Sequence, residues 1–394
     1  MVTEVSIAKG EDIVARTREA INLLDGVRKA VGKGDRVFIK PNIVDGAPFI
    51  TGEVVQIETI RVLVEECFCA GASEVLIGET PTYRKQTETI LQYKKLADEL
   101  GAKFLELNEY PFVEVNVENP RFFKRVRLSK PFLESDVFIN VPTLKTHASC
   151  GITVAIKNMY GLIPPEDRVL YHALNRVEEA IIDLYKVKKA DLIVVDGTYT
   201  TFHLGPRPLE DFKETFRLNL TLAGFDPVAI DAVSAKILGI NPSSLRYLKW
   251  AEEDGLGTRD MNQIRIIGVP LEEAYFGKAA GTADFINSRM NELKVMNFNA
   301  CTGCLQTAVH LMFTLRSFRH IMGEKRKIIC VIGPEAKANS IVKGSGDIKE
   351  TILLCGYCAA PTFYNELKGI FIPGCPPQPE DVQRTLKELL SRET

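Results

Sequence analysis

The sequence predicts an α/β protein of two unequal domains, a mostly parallel sheet domain over residues 1–290 and a smaller α/β domain over residues 291–394. Three observations point there. Through the first 270 residues, short apolar runs alternate with longer segments of helical period, the pattern of strand–helix–strand crossovers that builds a parallel sheet. A chain of 394 residues exceeds what one core usually serves. And six of the nine cysteines (Cys301, Cys304, Cys330, Cys355, Cys358 and Cys375) fall in the last 94 residues, which sets the carboxy-terminal part off from the rest.

In chain order, the extended candidates of the first domain are Glu4–Ala8, Arg36–Lys40, Val75–Gly78, Asp136–Val141, Leu192–Asp196 and Asn219–Ala223. Helical period covers Glu11–Val31, Val54–Ala70, Thr87–Leu100, Arg176–Val187 and Pro227–Leu238. Between Glu109 and Lys130 the pattern changes to alternation, in Val113–Val117 and Arg125–Leu128, which predicts an antiparallel insertion. The join falls around Gly281–Met296. Beyond it, a helix over Gly303–Met322 precedes short strands at Ile328–Ile332, Ile352–Leu354 and Ile370–Ile372 and a closing helix over Glu380–Leu390. No repeat of fixed period is present.

Composition excludes several classes. With 45% apolar and 25% charged residues the chain is neither disordered nor fibrous. A net charge of −2 argues against a protein built to hold a polyanion. The five basic residues within Arg121–Lys130 alternate as on a solvated strand face, so nucleic acid is not an expected partner. The N-terminus lacks an apolar core flanked by basic residues, and no apolar run is long enough to span a bilayer; a cytoplasmic protein without membrane insertion is expected. In a reducing compartment, clustered cysteines are metal ligands or redox groups before they are disulfides.

Cys301-Thr-Gly-Cys304 precedes a helix, Cys355-Gly-Tyr-Cys358 follows a strand, and Pro373-Gly-Cys375-Pro-Pro follows another. Thiolates three apart around a turn can grip one metal centre, while the glycines let backbone N–H groups approach sulfur. A zinc ribbon would space its two CxxC pairs by about 15–20 residues, but 50 residues intervene between Cys304 and Cys355. A thiol–disulfide exchange site could use either pair, though neither has a thioredoxin-like surround. An iron–sulfur cluster on four loop-borne thiolates fits the remaining pattern best.

These segments, together with Gly-Tyr-Cys-Ala-Ala and Pro-Gly-Cys-Pro-Pro-Gln-Pro-Glu, resemble the proximal-cluster domain of nickel–iron hydrogenase small subunits over about Val295 to Leu390; the cluster-bearing small subunit of respiratory complex I is a more distant likeness. The resemblance implies a flavodoxin-like α/β domain holding a [4Fe–4S] cluster on Cys301, Cys304, Cys358 and Cys375. Cys330 and Cys355 have no counterpart in the pattern and read as buried core cysteines. Where the hydrogenase pattern carries a glutamate two residues after the second cysteine, this chain has Gln306, a neutral amide that cannot relay protons. The resemblance therefore implies cluster binding, not hydrogen turnover.

In the first domain, polar groups gather after predicted strands, where open parallel sheets hold ligands. Lys40-Pro-Asn42 ends one strand and Pro142-Thr-Leu-Lys145-Thr-His147 another; Lys157, Asn158, Gly161 and His172 follow. Lys145 and His147 lie two apart, so in an extended segment they share a face. Three lysines and two histidines predict a pocket for a carboxylate, a phosphate or a metal-bound anion. Asp226 before a proline reads as a helix N-cap, and Gly161 and Gly197 as turn residues. Neither a P-loop nor a GxGxxG follows the first strands, so a standard nucleotide cradle is not expected.

Lys-Pro-Asn-Ile-Val, Val-Pro-Thr-Leu-Lys-Thr-His, Ile-Lys-Asn-Met-Tyr-Gly and Asp-Pro-Val-Ala-Ile-Asp-Ala, in this order over Val37 to Gly257, resemble the family called Domain of Unknown Function 362, whose members are often joined to cluster modules. The spacing of His147, Lys157 and His172 is also similar to lactate racemase-type enzymes, although the glycine-rich run before that family's lysine is missing here. That second similarity implies a nickel-pincer nucleotide on Lys157, nickel on a histidine and proton transfer by others.

The expected function is an iron–sulfur redox enzyme. Its cluster would exchange electrons with an anionic substrate or a second, anionic or metal, cofactor in the first domain. Lys40, Asn42, Lys157 and Asn158 are the expected cofactor-binding residues, and Lys145, His147 and His172 the expected catalytic ones, since histidine titrates near working pH. Two alternatives stay open. One is an electron-transfer or assembly subunit docking a redox partner protein through Leu305, Val309, Met312, Phe313 and Phe318, a stripe that more often faces a core. The other is an isomerase or racemase with a structural cluster.

Overall fold

Buried apolar runs set the strands of the first part of the chain, and the loops between them carry its polar groups. The structure is a computed structural model that describes residues 2–44, 46–80, 87–202, 215–277, 281–317, 326–336, 349–359 and 369–391. The chain divides into two units. The first comprises residues 1–147, 152–243 and 247–279; the second comprises residues 280–394 with the short segments 148–151 and 244–246.

The strands of the first unit are β1 (Thr3–Lys9), β2 (Arg36–Pro41), β3 (Glu74–Glu79), β4 (Lys103–Glu106), β5 (Phe112–Asn116), β6 (Arg125–Ser129), β7 (Val137–Val141), β8 (Lys145–His147), β9 (Gly151–Thr153), β10 (Leu192–Thr201), β11 (Thr215–Gly224) and β12 (Ile264–Gly268). Eight of them form one sheet in the order β12-β1-β11-β10-β7-β2-β3-β4. Every pairing in it is parallel except those of β11, which runs antiparallel to both β1 and β10. All five residues of β7 are buried, as expected of a central strand covered on both faces.

The order of this sheet positions the site. The chain builds outward from β2 to β3 and β4, then returns to lay β7 along the other side of β2. The strand order thus reverses between β2 and β7. In open α/β sheets the crevice beyond the carboxyl ends of the strands at such a reversal is where ligands sit.

Most expected elements form within a residue or two, and the departures have local causes. The helical stretch expected over 11–31 is two helices, Ile13–Asn22 and Gly26–Ala30, parted at Asp25, whose φ of 51° is a left-handed turn conformation that aspartate tolerates. Thr87 caps the helix Glu88–Leu100 by accepting a hydrogen bond from the Ile90 amide. Asp226 caps the helix Pro227–Leu238, accepting from the amides of Val228 and Ala229. Strands β5 and β6 pair antiparallel, as the alternation implies. The basic residues of the Arg121–Lys130 stretch are largely ion-paired: Arg121 with Glu253 and Asp254, Arg125 with Glu114, Arg127 with Glu166 and Asp167, and Lys130 with Glu134.

In the second unit, β13 (Leu293–Asn297), β14 (Arg326–Ile332), β15 (Lys349–Cys355) and β16 (Ile370–Ile372) form a parallel sheet in sequential order. A flavodoxin sheet instead runs 2-1-3-4-5, so the described strands lack that reversal. Strand β13 is absent from the sequence expectation, because Lys294 and Asn297 interrupt its apolar run and only the pairing with β14 reveals it. Of the expected docking stripe, the helix Thr302–Ser317 buries Val309 and Met312 as core, half-buries Leu305 and leaves Phe313 exposed; Phe318 lies outside the described residues. No helix among the described residues is long and apolar enough to cross a membrane.

Candidate functional site

Beyond the carboxyl ends of β2 and β7, four of the expected site residues, Lys40, Asn42, Lys145 and Asn158, meet in one buried polar network. Asn158, near the end of the short helix Ala155–Asn158, is its hub. Its Oδ1 accepts from Lys40 Nζ at 2.9 Å and from Asn42 Nδ2 at 3.0 Å. Its Nδ2 donates to the Lys40 carbonyl at 3.1 Å and to Asn140 Oδ1 at 2.7 Å. Both donors and both acceptor directions of this amide are used, so its orientation is fixed. Asn42 Oδ1 in turn accepts from Lys145 Nζ at 2.9 Å, and Lys145 also donates to the Glu53 carbonyl at 2.8 Å.

Lys40 departs from its expected role. Its ammonium donates to Glu79 Oε2 at 2.7 Å, to Asn158 Oδ1 and to the Pro41 carbonyl at 3.0 Å. Three donors are thereby engaged within the protein, so in this arrangement Lys40 holds Asn158 in place and has no donor left for an anion. Burial pulls its pKa down, and Glu79 opposes that shift. Gly161 is also more than a turn residue. A Cβ there would lie 2.2 Å from Glu79 Oε1 and 2.5 Å from Lys40 Nζ, so only glycine lets the backbone pass over this ion pair.

The groups that face one another with titratable chemistry are Lys145, Lys157, His147 and His172. The His147 and His172 rings stack with centroids 6.3 Å apart, and Tyr160 meets His172 edge-on at 5.4 Å. Lys157 Nζ lies 4.1 Å from the centre of the Tyr160 ring, a cation–π contact. His147 is buried whereas His172 is exposed. Burial, and then the charges of Lys157, His172 and Lys145, hold the His147 pKa well below its usual 6.5, so its imidazole is neutral near pH 7. Burial also lowers Lys145 to about 7, with Glu53 opposing, and raises Glu53 to about 7, with Lys145 opposing.

Sequence reasoning missed the acids that hold this site. Asp231 is fully buried; it accepts from the Ala155 amide at 2.7 Å, the Ile156 amide at 3.3 Å and the Tyr247 hydroxyl at 3.0 Å. It therefore anchors the first turn of the helix that carries Lys157 and Asn158. The available signal was a lone carboxylate inside the otherwise apolar Val228–Ala235 run. Burial raises Asp231 from 3.8 to about 7 against its hydrogen bonds. Between those values the folded state binds this proton and the unfolded state does not, so its contribution to stability is complete below 3.8 and lost as pH rises through about 7. Asp231→Asn is accordingly expected to remove that part of the pH dependence. Denaturant titrations of both proteins across this window check it, and a stability difference between them that does not change with pH would refute it.

In the second unit all four expected ligand cysteines are free thiols, as are the other five cysteines. Cys301 precedes the helix Thr302–Ser317; a hydrogen bond from the Cys304 thiol, the amides of Cys304 and Gly303, and the charge of Arg246 bring it down to about 5. Cys304 is raised by its bond with Cys301, by burial, and by the nearby charges of Cys301, Cys358 and Cys375. Cys358 is raised by burial and by Cys375 and Cys301. The two loops bearing Cys358 and Cys375 are tied together by hydrogen bonds from the Gly356 amide to the Ile372 carbonyl and from the Tyr357 amide to the Gly374 carbonyl, each 3.0 Å. Cys330 and Cys355 are fully buried with their sulfurs 3.6 Å apart.

Among the described residues, no three His, Cys, Asp or Glu side chains are gathered as a metal ion would require. Tetrahedral thiolates on a single ion, at bonds of about 2.3 Å, would stand within about 4 Å of one another. The thiolates of a cubane bind separate irons and stand farther apart.

Fold and site together define an α/β protein with a polar site at the switch point of its larger sheet and a cysteine-bearing second unit. The chain belongs to the family described as Domain of unknown function (DUF362), matched over residues 37–236. It is 27% identical over 272 residues to "Thylakoid-associated protein sll1697" of Synechocystis, a match covering 65% of this chain and 81% of that protein. Among solved structures it is similar to the lactate racemase apoprotein of Thermoanaerobacterium thermosaccharolyticum, at a TM-score of 0.37 and 10% identity over 99% of this chain and 91% of that one. It is also similar to a structural-genomics protein of Thermotoga maritima, at a TM-score of 0.34 and 16% identity over 49% and 52% of the two chains.

Proposed function

We propose that this chain is an iron–sulfur oxidoreductase of a reducing, cytoplasmic compartment. Its second unit would hold a [4Fe–4S] cluster on Cys301, Cys304, Cys358 and Cys375, and its first unit an anionic substrate or cofactor. The observation that carries the reading is that the fold brings together three separate segments bearing four free thiols: the Cys358 and Cys375 loops are hydrogen-bonded to each other, and Gly356 of the first lies against Cys304. The surround fits such a group: Gly356, at a φ of 90°, stands where a Cβ would come within 3.0 Å of Cys304 Sγ. A cluster bound there supplies single electrons.

The first unit's residues supply the rest. Lys145 and Lys157 provide positive charge for an anion, and His147, neutral and buried, can accept or return a proton. Lys40, Asn42 and Asn158 keep these groups in register. Anaerobic reconstitution, dithionite reduction and EPR test the cluster. The expected result is a cubane signal with about four irons per chain, lost in Cys375→Ser. Stoichiometric zinc in place of iron, or Cys375→Ser spectra identical to wild type, would sink the assignment.

A further inference from the structure

We infer that Arg246 sets the reduction potential of the cluster by holding a positive charge against the turn that bears Cys301 and Cys304. The inference rests on the iron–sulfur reading and deepens it. Arg246 belongs to the second unit and is half-buried. Its backbone amide donates to Thr302 Oγ1 at 3.3 Å, which fixes it against the first turn of the helix Thr302–Ser317. A Cβ at Gly303 would lie 3.1 Å from Arg246 Nη1 and 3.2 Å from its Cζ, so the bare backbone of Gly303 is what admits the guanidinium. The guanidinium thus packs on the turn that carries both Cys301 and Cys304.

The chemical consequence has a definite sign. A cubane gains one negative charge on reduction, and a guanidinium stays protonated at any working pH. A positive charge held against the turn that bears two of the thiolates therefore favours the reduced cluster. Arg246 is in this sense a positioning and tuning residue; it need not touch any substrate.

The test is a redox titration of reconstituted full-length protein followed by EPR. At the wild-type midpoint, Arg246→Gln is expected to show about a tenfold lower ratio of reduced to oxidised cluster, equivalent to about 59 mV for a one-electron couple. Arg246→Lys should recover most of that shift. Gly303→Ala, whose methyl would meet the guanidinium at 3.1–3.2 Å and press it back while the charge stays in the chain, should move the midpoint the same way by less, and it serves if Arg246→Gln does not retain iron. A wild-type cluster whose midpoint is unchanged in Arg246→Gln, or in Gly303→Ala where that variant stands in for it, overturns the inference and leaves the iron–sulfur reading standing. Absence of any cubane in wild type overturns both.

Discussion

Replacing Glu79 with alanine is expected to cost about 3–5 kcal/mol of folding stability, the range for a buried ion pair that loses one partner. The Lys40 and Glu79 side chains are only 1% and 6% exposed, and their contact is 2.7 Å. Glu79 also accepts from the amides of Ile43, at 3.2 Å, and Thr80, at 2.8 Å. The variant would leave an ammonium and two amides without this acceptor in a place water does not reach. Lys40 would then draw only on the Pro41 carbonyl and on Asn158, the hub of the site. Chemical denaturation followed by probes in the first unit measures the loss. The double variant Lys40→Met with Glu79→Leu is expected to regain most of it, because apolar groups of similar volume remove the uncompensated charge. A loss below about 1 kcal/mol in Glu79→Ala would show that the pair is not shielded as its burial implies.

Anion binding by the first unit is expected to weaken at least tenfold as pH rises from about 6 to about 8. Lys145 and Glu53 both titrate near 7, the lysine lowered and the glutamate raised by burial. Below that point the pair carries a positive charge; above it the lysine is neutral and the carboxylate charged, so the pair repels an anion. His147 changes in the same direction, gaining charge only at still lower pH. Calorimetric titration with oxalate, which stays a dianion throughout this range, reads the effect. Lys145→Met should lower affinity at the acidic end and flatten the profile. A wild-type affinity that is constant over this range would overturn the assignment of Lys145 to the anion.

Much of this arrangement is written locally. The strands Arg36–Pro41, Glu74–Glu79 and Val137–Val141 are apolar runs that have no stable place except inside a covered sheet, and their ends are where polar residues can begin. Lys40, Asn42, Lys145 and His147 were therefore findable as strand-end groups. Asp226 was findable as a cap because the proline after it cannot use an amide. Glu79 ends an apolar strand just as Lys40 does, and that symmetry was an unused signal. Asp231 and Asn140 were harder, because a polar residue inside a buried element has a meaning only once its partner from a distant segment is known.

The sequence by itself determined the class of fold, the hydrophobic segments that become its strands and helices, and the concentration of thiols near the carboxy terminus. Each of these depends on residues close in the chain, through periodicity, capping and turn chemistry. Tertiary structure alone decided that the sheet reverses between β2 and β7, that Lys40 is engaged by Glu79 and Asn158 and not left for a ligand, and that Cys330 lies against Cys355 while Cys301, Cys304, Cys358 and Cys375 influence one another. The physical reason is the same in each case. A side chain's type says what it can donate, accept or carry, but burial and the groups brought to it from far along the chain decide which of those capacities remains free.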